Sequence, residues 1–202
     1  AFLWAGWWVY SVQPALVAAL SIPLPGRIHL SNVLAAVAVA VECGVSLAAI
    51  AAKVATLHPV ARRGASVVGP RGVRVIDDSY NASPSAVMAT LTALARTPVS
   101  GRRVAVLGEM LELGDNAAEL HETCGRAAAR AGVDVLVAIG GPAADEIATG
   151  AVAEGLDPAR VHRFATSAAA ADAVGALVLP ADLVLVKGSR GTRTDLVADR
   201  LL

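Results

Sequence analysis

Val73-Arg74-Val75-Ile76-Asp77-Asp78-Ser79-Tyr80-Asn81-Ala82-Ser83-Pro84 is a β-branched run that breaks into two carboxylates, a polar turn and a proline. Val73–Ile76 predicts a strand short and apolar enough to be buried on both faces. Pro84 suits the first position of a helix over 84–96, because a helix start leaves that N–H unpaired in any case. A strand that feeds straight into a helix is the first half of a βαβ unit, and the alternation recurs downstream. Arg103–Leu107, Val133–Ile139 and Leu183–Val186 read as further strands, with a weaker one at Val161–Phe164. Helices are predicted over 117–131, 142–154, 167–177 and 192–202, with Asp115 or Asn116 as the cap of the first. Right-handed crossovers between such elements build an α/β fold with a doubly wound, mostly parallel sheet.

Upstream the pattern changes. Ser31–Cys43 predicts an apolar helix with Gly44 at its C′ position, and Ser46 predicts the N-cap of a second helix over Leu47–Ala55 that Pro59 stops. Arg62-Arg63-Gly64 is the expected boundary, giving domains over 1–62 and 63–202. Ala1–Gly26 carries no charge, and Trp4, Trp7, Trp8 and Tyr10 fall within its first ten residues. A charge-free run of this length fits a membrane span. Gln13-Pro14 interrupts it, Pro23 and Pro25 end it, and no Lys/Arg cluster flanks it. It also lacks the basic start of a signal peptide. The favoured expectation is a piece of a preceding domain, whose tryptophans pack on partners outside this chain.

Composition excludes several function classes. The 202 residues are 55% hydrophobic, which is enough for a substantial core, and the formal net charge of zero gives no reason to expect a nucleic-acid partner. Cys43 and Cys124 belong to no CxxC pair and read as buried free thiols in a reducing compartment. His29, His58, His121 and His162 have no metal-ligand spacing. The chain has no G-x-S-x-G elbow, and no G-x-x-x-x-G-K-[ST] phosphate loop.

Ligands of doubly wound sheets bind at the carboxyl ends of the strands, which directs attention to 77–84, 108–115, 140–142 and 187–191. At a strand end, an aspartate can hold a metal or accept hydrogen bonds from paired ribose hydroxyls. Successive side chains near a strand alternate in direction, so Asp77 and Asp78 are not expected to act as a pair. Gly108-Glu109-Met110-Leu111-Glu112-Leu113-Gly114 reads on its own as a glycine-permitted turn with solvated carboxylates. Lys187-Gly188-Ser189-Arg190-Gly191 sets two cations and a hydroxyl before the last predicted helix, a plausible anion site for a carboxylate or phosphate. Gly140-Gly141 reads as a tight turn that packs a helix.

Taken in order, these pieces resemble the Mur ligases of peptidoglycan synthesis. The matching stretches are Pro25-Gly26-Arg27 with Asn32-Val33-Leu34-Ala35-Ala36, Pro59-Val60 with Arg63, Asp77 to Ala82, Gly108-Glu109-Met110 with Glu112-Leu113-Gly114, and Val186 to Gly191. The resemblance covers about Pro23 to Leu202. Within the family it points to the branch that joins D-alanyl-D-alanine to UDP-N-acetylmuramoyl-tripeptide.

The resemblance implies a Rossmann-like C-terminal domain preceded by a helical remnant of the central ATPase domain. It also implies ATP as cofactor, Mg2+ in the intact enzyme with ligands outside this chain, and an acyl-phosphate intermediate. Asn32 would contact adenine, Arg63 the phosphates and Asp78 the ribose. Asn81, Lys187, Ser189 and Arg190 would line the cleft for the incoming dipeptide, with Arg63, Asn81 and Lys187 as the catalytic set. The sequence departs from the family at Ile28-His29, where His-Asn is usual, at Arg62 for Gly, at Ala65 for an acidic residue, and at Ser83 for Asn. Either Arg62 or Arg63 can therefore be the phosphate contact. The same family implies a cytoplasmic enzyme of cell-wall biogenesis, cell shape and cell division, monomeric when intact and off the membrane. With no phosphate loop, the chain alone is expected not to ligate. Two alternatives stand beside this: a related ligase acting on folate or cyanophycin-like substrates, and a non-enzymatic nucleotide- or anion-binding module tethered to a membrane by residues 1–22.

Overall fold

A computed structural model describes residues 19–24, 27–58 and 60–202. The tryptophan-rich stretch, most of the 1–22 segment, Pro25-Gly26 and Pro59 lie outside the described residues. The chain divides into two compact units, Ala1–Pro59 and Val60–Leu202.

In the first unit, α1 (Arg27–Glu42) begins four residues earlier than expected, and α2 spans Leu47–Val54. Gly44 takes φ +78°, so the Gly44 N–H reaches the Val41 carbonyl and the Val45 N–H reaches Ala40. That double closure is the Schellman stop that the glycine predicted. Ser46 caps α2, its hydroxyl accepting from the Ala49 N–H at 3.3 Å. Val33, Ile50 and Val54 form a small core with Leu20, Ile22 and Leu24 against it. Among the described residues no helix is long and apolar enough to cross a membrane.

The second unit is a six-stranded sheet whose first two strands form a hairpin. The strands are β1 (Ala65–Val68), β2 (Arg74–Asp78), β3 (Arg103–Gly108), β4 (Val135–Ile139), β5 (Val161–Phe164) and β6 (Leu183–Lys187). Their order across the sheet is β1-β2-β6-β3-β4-β5, and only β1 runs antiparallel to its neighbour. Alternation along the strands feeds two cores. Ala105, Leu107, Leu136, Ala138, Leu183 and Leu185 face α3 (Pro84–Arg96), α4 (Ala117–Arg130) and α5 (Pro142–Ala153). Val104, Val106, Val135, Val137, Val184 and Val186 face α6 (Ser167–Leu177) and α7 (Asp195–Leu201). This is the expected doubly wound, mostly parallel α/β sheet, buried on both faces.

Four details differ from the sequence reading. β1 was not expected: it is an edge strand, and Val67 and Val68 are exposed, so no buried apolar run marks it. β2 extends through both aspartates and β6 through Lys187, so these side chains stand on strands rather than in the loops beyond. The last helix starts at Asp195 instead of Thr192, after a 3-10 turn at Arg190–Thr192 and an Arg193 held at φ +60°. The 187–191 loop therefore does not sit at a helix N-terminus. Asn116 occupies the N-cap of α4 but makes no side-chain capping bond.

Candidate functional site

β6 lies between β2 and β3, and the chain leaves β2 for one face of the sheet and β6 for the other. Their carboxyl ends flank the switch point, where such sheets bind ligands. The register pairs Asp78 directly with Lys187. The Lys187 ammonium donates to Asp78 Oδ2 at 2.6 Å and to the Asn81 carbonyl at 3.0 Å. Its side chain is 4% exposed, against 20% for Asp78. Thr90 Oγ1 on α3 lies 3.2 Å from the same Oδ2, although its hydrogen has a closer acceptor in the Ala86 carbonyl at 2.8 Å. Among the described residues, the side-chain bonds to this carboxylate thus converge on Oδ2, and the side chain is partly open to solvent. Asp77 turns the other way, as strand alternation requires. Its Oδ1 accepts from the Ser79 hydroxyl at 2.5 Å and the Ser79 N–H at 3.2 Å, closing a local turn.

The two candidate phosphate arginines separate cleanly. Arg62, at φ +61°, pairs with Asp199 at 3.1 Å and lies 3.6 Å from Asp195, both on α7. The bond to Asp199 pushes its pKa further up. The Arg63 guanidinium instead lies 4.0 Å from the centre of the Tyr80 ring, and that of Arg190 lies 5.5 Å from the same ring. The Tyr80 N–H donates to the Arg62 carbonyl at 3.0 Å, and the Gly64 N–H donates to the Asp77 carbonyl at 2.8 Å, which ties this segment to the 77–84 loop.

The remaining loops support one another. Ser189 is buried, and its hydroxyl accepts from the Leu111 N–H at 2.9 Å. The Glu109 carbonyl accepts from the Ser189 N–H and the Thr192 hydroxyl. Glu109 is not a solvated carboxylate, as its residue type suggested. It is half-buried, and Oε2 accepts from the Gly141 N–H at 3.0 Å, at the start of α5. A Cβ on Gly140, which has φ +140°, would meet the Glu109 side chain at 2.7 Å, so the Gly140-Gly141 turn leaves space for this cap. His121, fully buried, accepts from the Met110 N–H at 2.8 Å through Nε2 and lies 2.6 Å from the Ala117 carbonyl through Nδ1. A cavity of about 410 Å³ opens beyond these loops, lined by Glu109, Gly141, Thr166, Thr192 and Arg193 among others.

The structure therefore brings Asp78, Asn81 and Lys187 together, with Arg63 and Arg190 meeting at Tyr80. Lys187 and Ser189 point inward to protein partners. Asn81 is exposed, and its Oδ1 accepts from the Ala82 N–H at 2.9 Å. Asn32 lies on α1 in the first unit. Sequence reasoning gave no role to Tyr80. Its signal was an aromatic placed between charged loops in a chain with only 3% aromatics.

The family model described as "Mur ligase, glutamate ligase domain" matches residues 62–190. The UDP-N-acetylmuramoyl-tripeptide--D-alanyl-D-alanine ligase of Mycobacterium tuberculosis is 41% identical over 194 residues, covering 88% of this chain and 38% of that protein. A crystal structure of MurF from Acinetobacter baumannii superposes with a TM-score of 0.77 at 30% identity, over 90% of this chain and 39% of that one. The MurF ligase of Thermotoga maritima in complex with ADP gives 0.68 at 28% identity, over 85% and 37%. The chain spans about two fifths of the length of these relatives.

Proposed function

Since the chain belongs to the Mur ligase family, we propose that it is the C-terminal portion of an ATP-dependent ligase joining D-alanyl-D-alanine to UDP-N-acetylmuramoyl-tripeptide. The observation that carries this reading is the Asp78–Lys187 pair at the switch point. Lys187 neutralises one oxygen of the carboxylate and leaves the other to accept ribose hydroxyls. Arg63, which lies against the Tyr80 ring two residues beyond Asp78, is the better phosphate contact, because Arg62 is committed to Asp199. Asn32 remains the proposed adenine contact. These residues fit the ribose and phosphates of ATP.

In the proposed reaction ATP phosphorylates the terminal carboxylate of the tripeptide and leaves as ADP. The amine of D-alanyl-D-alanine then attacks the acyl carbon through a tetrahedral intermediate, loses a proton and expels phosphate. This chain's share is to hold the nucleotide and steady developing anionic charge with Arg63 and Arg190. Lys187 contributes through Asp78 and the Asn81 carbonyl, and Asn81 is the exposed polar group offered to the dipeptide. Among the described residues no group of three His, Cys, Asp or Glu side chains comes together to hold a metal ion, and Mg2+ is assigned no ligand here. The chain's lack of a phosphate loop supports inactivity of the 202 residues alone. On this reading the reaction is cytoplasmic, by a monomer serving cell-wall biogenesis.

The test is phosphate release by the full-length parent enzyme. Release should require ATP, the UDP-linked tripeptide and D-alanyl-D-alanine together, and Asp78→Ala should raise the KM for ATP. Release with a single amino acid in place of the dipeptide, or turnover by the 202-residue chain, would overturn the corresponding part.

A further inference from the structure

Arg63 and Arg190 approach one ring from two loops that are far apart in sequence. Both guanidiniums lie within the roughly 6 Å at which a cation is attracted to an aromatic face, at 4.0 and 5.5 Å from the centre of Tyr80. The two charges therefore stand within about one Debye length of each other, roughly 8–10 Å. Neither side chain has an ion pair or hydrogen bond to a carboxylate among the described residues. The acids of the same region are already engaged. Asp77 is turned onto Ser79, Asp78 onto Lys187, Asp199 onto Arg62, and Asp195 onto Arg62 and Arg193. Two uncompensated cations held this close repel each other unless something between them offsets the repulsion. The negative face of the Tyr80 ring does so without occupying their N–H donors, as a carboxylate would.

We propose that Tyr80 is a positioning residue that couples Arg63 and Arg190 into a single clamp for a phosphoryl anion. The ring, two residues beyond Asp78, holds both guanidiniums and leaves their donor edges free for paired hydrogen bonds to phosphate oxygens. The backbone supports this placement. The Tyr80 N–H is tied to the Arg62 carbonyl, and the Arg62 side chain is anchored on α7, which turns Arg63 toward the ring. The inference rests on the nucleotide-binding reading above and adds a residue and a partnership to it.

The experiment titrates inorganic pyrophosphate into the 202-residue chain and follows the arginine Nε–Hε signals by NMR. In the unaltered chain, Arg63 and Arg190 should shift along one binding curve. Tyr80→Phe keeps the ring and should retain that curve. Tyr80→Leu should weaken binding about three- to tenfold, the scale of cation–π loss, and separate the two curves. Tyr80 is exposed, and matched melting curves of the three proteins check that folding is unchanged. Separate curves in the unaltered chain overturn the clamp, as does a Leu variant that binds like the parent or a Phe variant as weak as Leu. Adenosine, which lacks phosphate, is titrated in parallel through the Asp78 signals. A chain that takes adenosine without coupled arginine shifts loses the clamp and keeps the nucleotide reading. A working clamp in a parent without ligase activity does the reverse.

Discussion

Asp78 and Lys187 stand 109 residues apart in the chain, yet their side chains meet at 2.6 Å because β2 and β6 are parallel neighbours in register. The pair is unequal: the ammonium is almost wholly enclosed, and the carboxylate is partly open. Removing one partner of a buried pair leaves the other uncompensated.

That asymmetry predicts different costs. Asp78→Ala strands a buried ammonium and should destabilise the chain by about 3–5 kcal/mol. Lys187→Met leaves a carboxylate that water can reach and should cost less, about 1–3 kcal/mol. Urea unfolding of both variants checks the order, and an equal or reversed order contradicts the account.

Asp182, the residue before β6, predicts a pH response. It is 1% exposed and accepts from the Arg102 N–H, the Arg102 guanidinium and the Leu179 N–H. Burial alone would raise its pKa, but the Arg102 and Leu179 bonds outweigh that and hold it below the usual carboxylate range. A lowered folded pKa contributes stability above the unfolded value of about 3.9 and loses it as pH falls through the folded value. Asp182→Asn should therefore be less stable at pH 7, by about 1–3 kcal/mol, and lose less of its stability between pH of about 4.5 and 2.5. Urea midpoints across that range measure both effects.

The α4–α5 contact predicts an intolerance of methyl groups. A Cβ on Gly125 would run into the Ile147 carbonyl, and one on Gly150 into the Glu122 carbonyl. Gly125→Ala should cost about 1–3 kcal/mol or more, since overpacking must move backbone. Gly132→Ala places its methyl in open space at φ +71° and should cost only the left-handed strain, about 1–2 kcal/mol. Thermal melts of the two variants separate packing from backbone strain.

The two cysteines predict selective labelling. Burial raises the Cys124 pKa to about 11, while Cys43 is exposed. The thiolate is the nucleophile, so iodoacetamide at pH 8 should modify Cys43 alone in the folded chain and both after denaturation. Mass spectrometry of the labelled peptides checks this. It also tests a correction, because the sequence suggested that both thiols were buried.

Periodicity and punctuation determined much of this protein. Val-rich runs, the Pro84 helix start, the Gly44 stop and the Ser46 cap act within a few residues, so they could be read one after another along the chain. The loops at the strand ends could be found the same way. What the sequence could not reveal depended on residues far apart in the chain. β1 gave no signal, because an exposed edge strand needs no buried face. Arg62 and Arg63 were indistinguishable until α7 supplied Asp199 and the 77–84 loop supplied Tyr80. Lys187 read as a cation offered to substrate, and only the register of β2 beside β6 turned it inward onto Asp78. Local sequence fixes the short-range conformational choices. Which charges meet is decided by the strand order, because electrostatic pairing requires proximity in space.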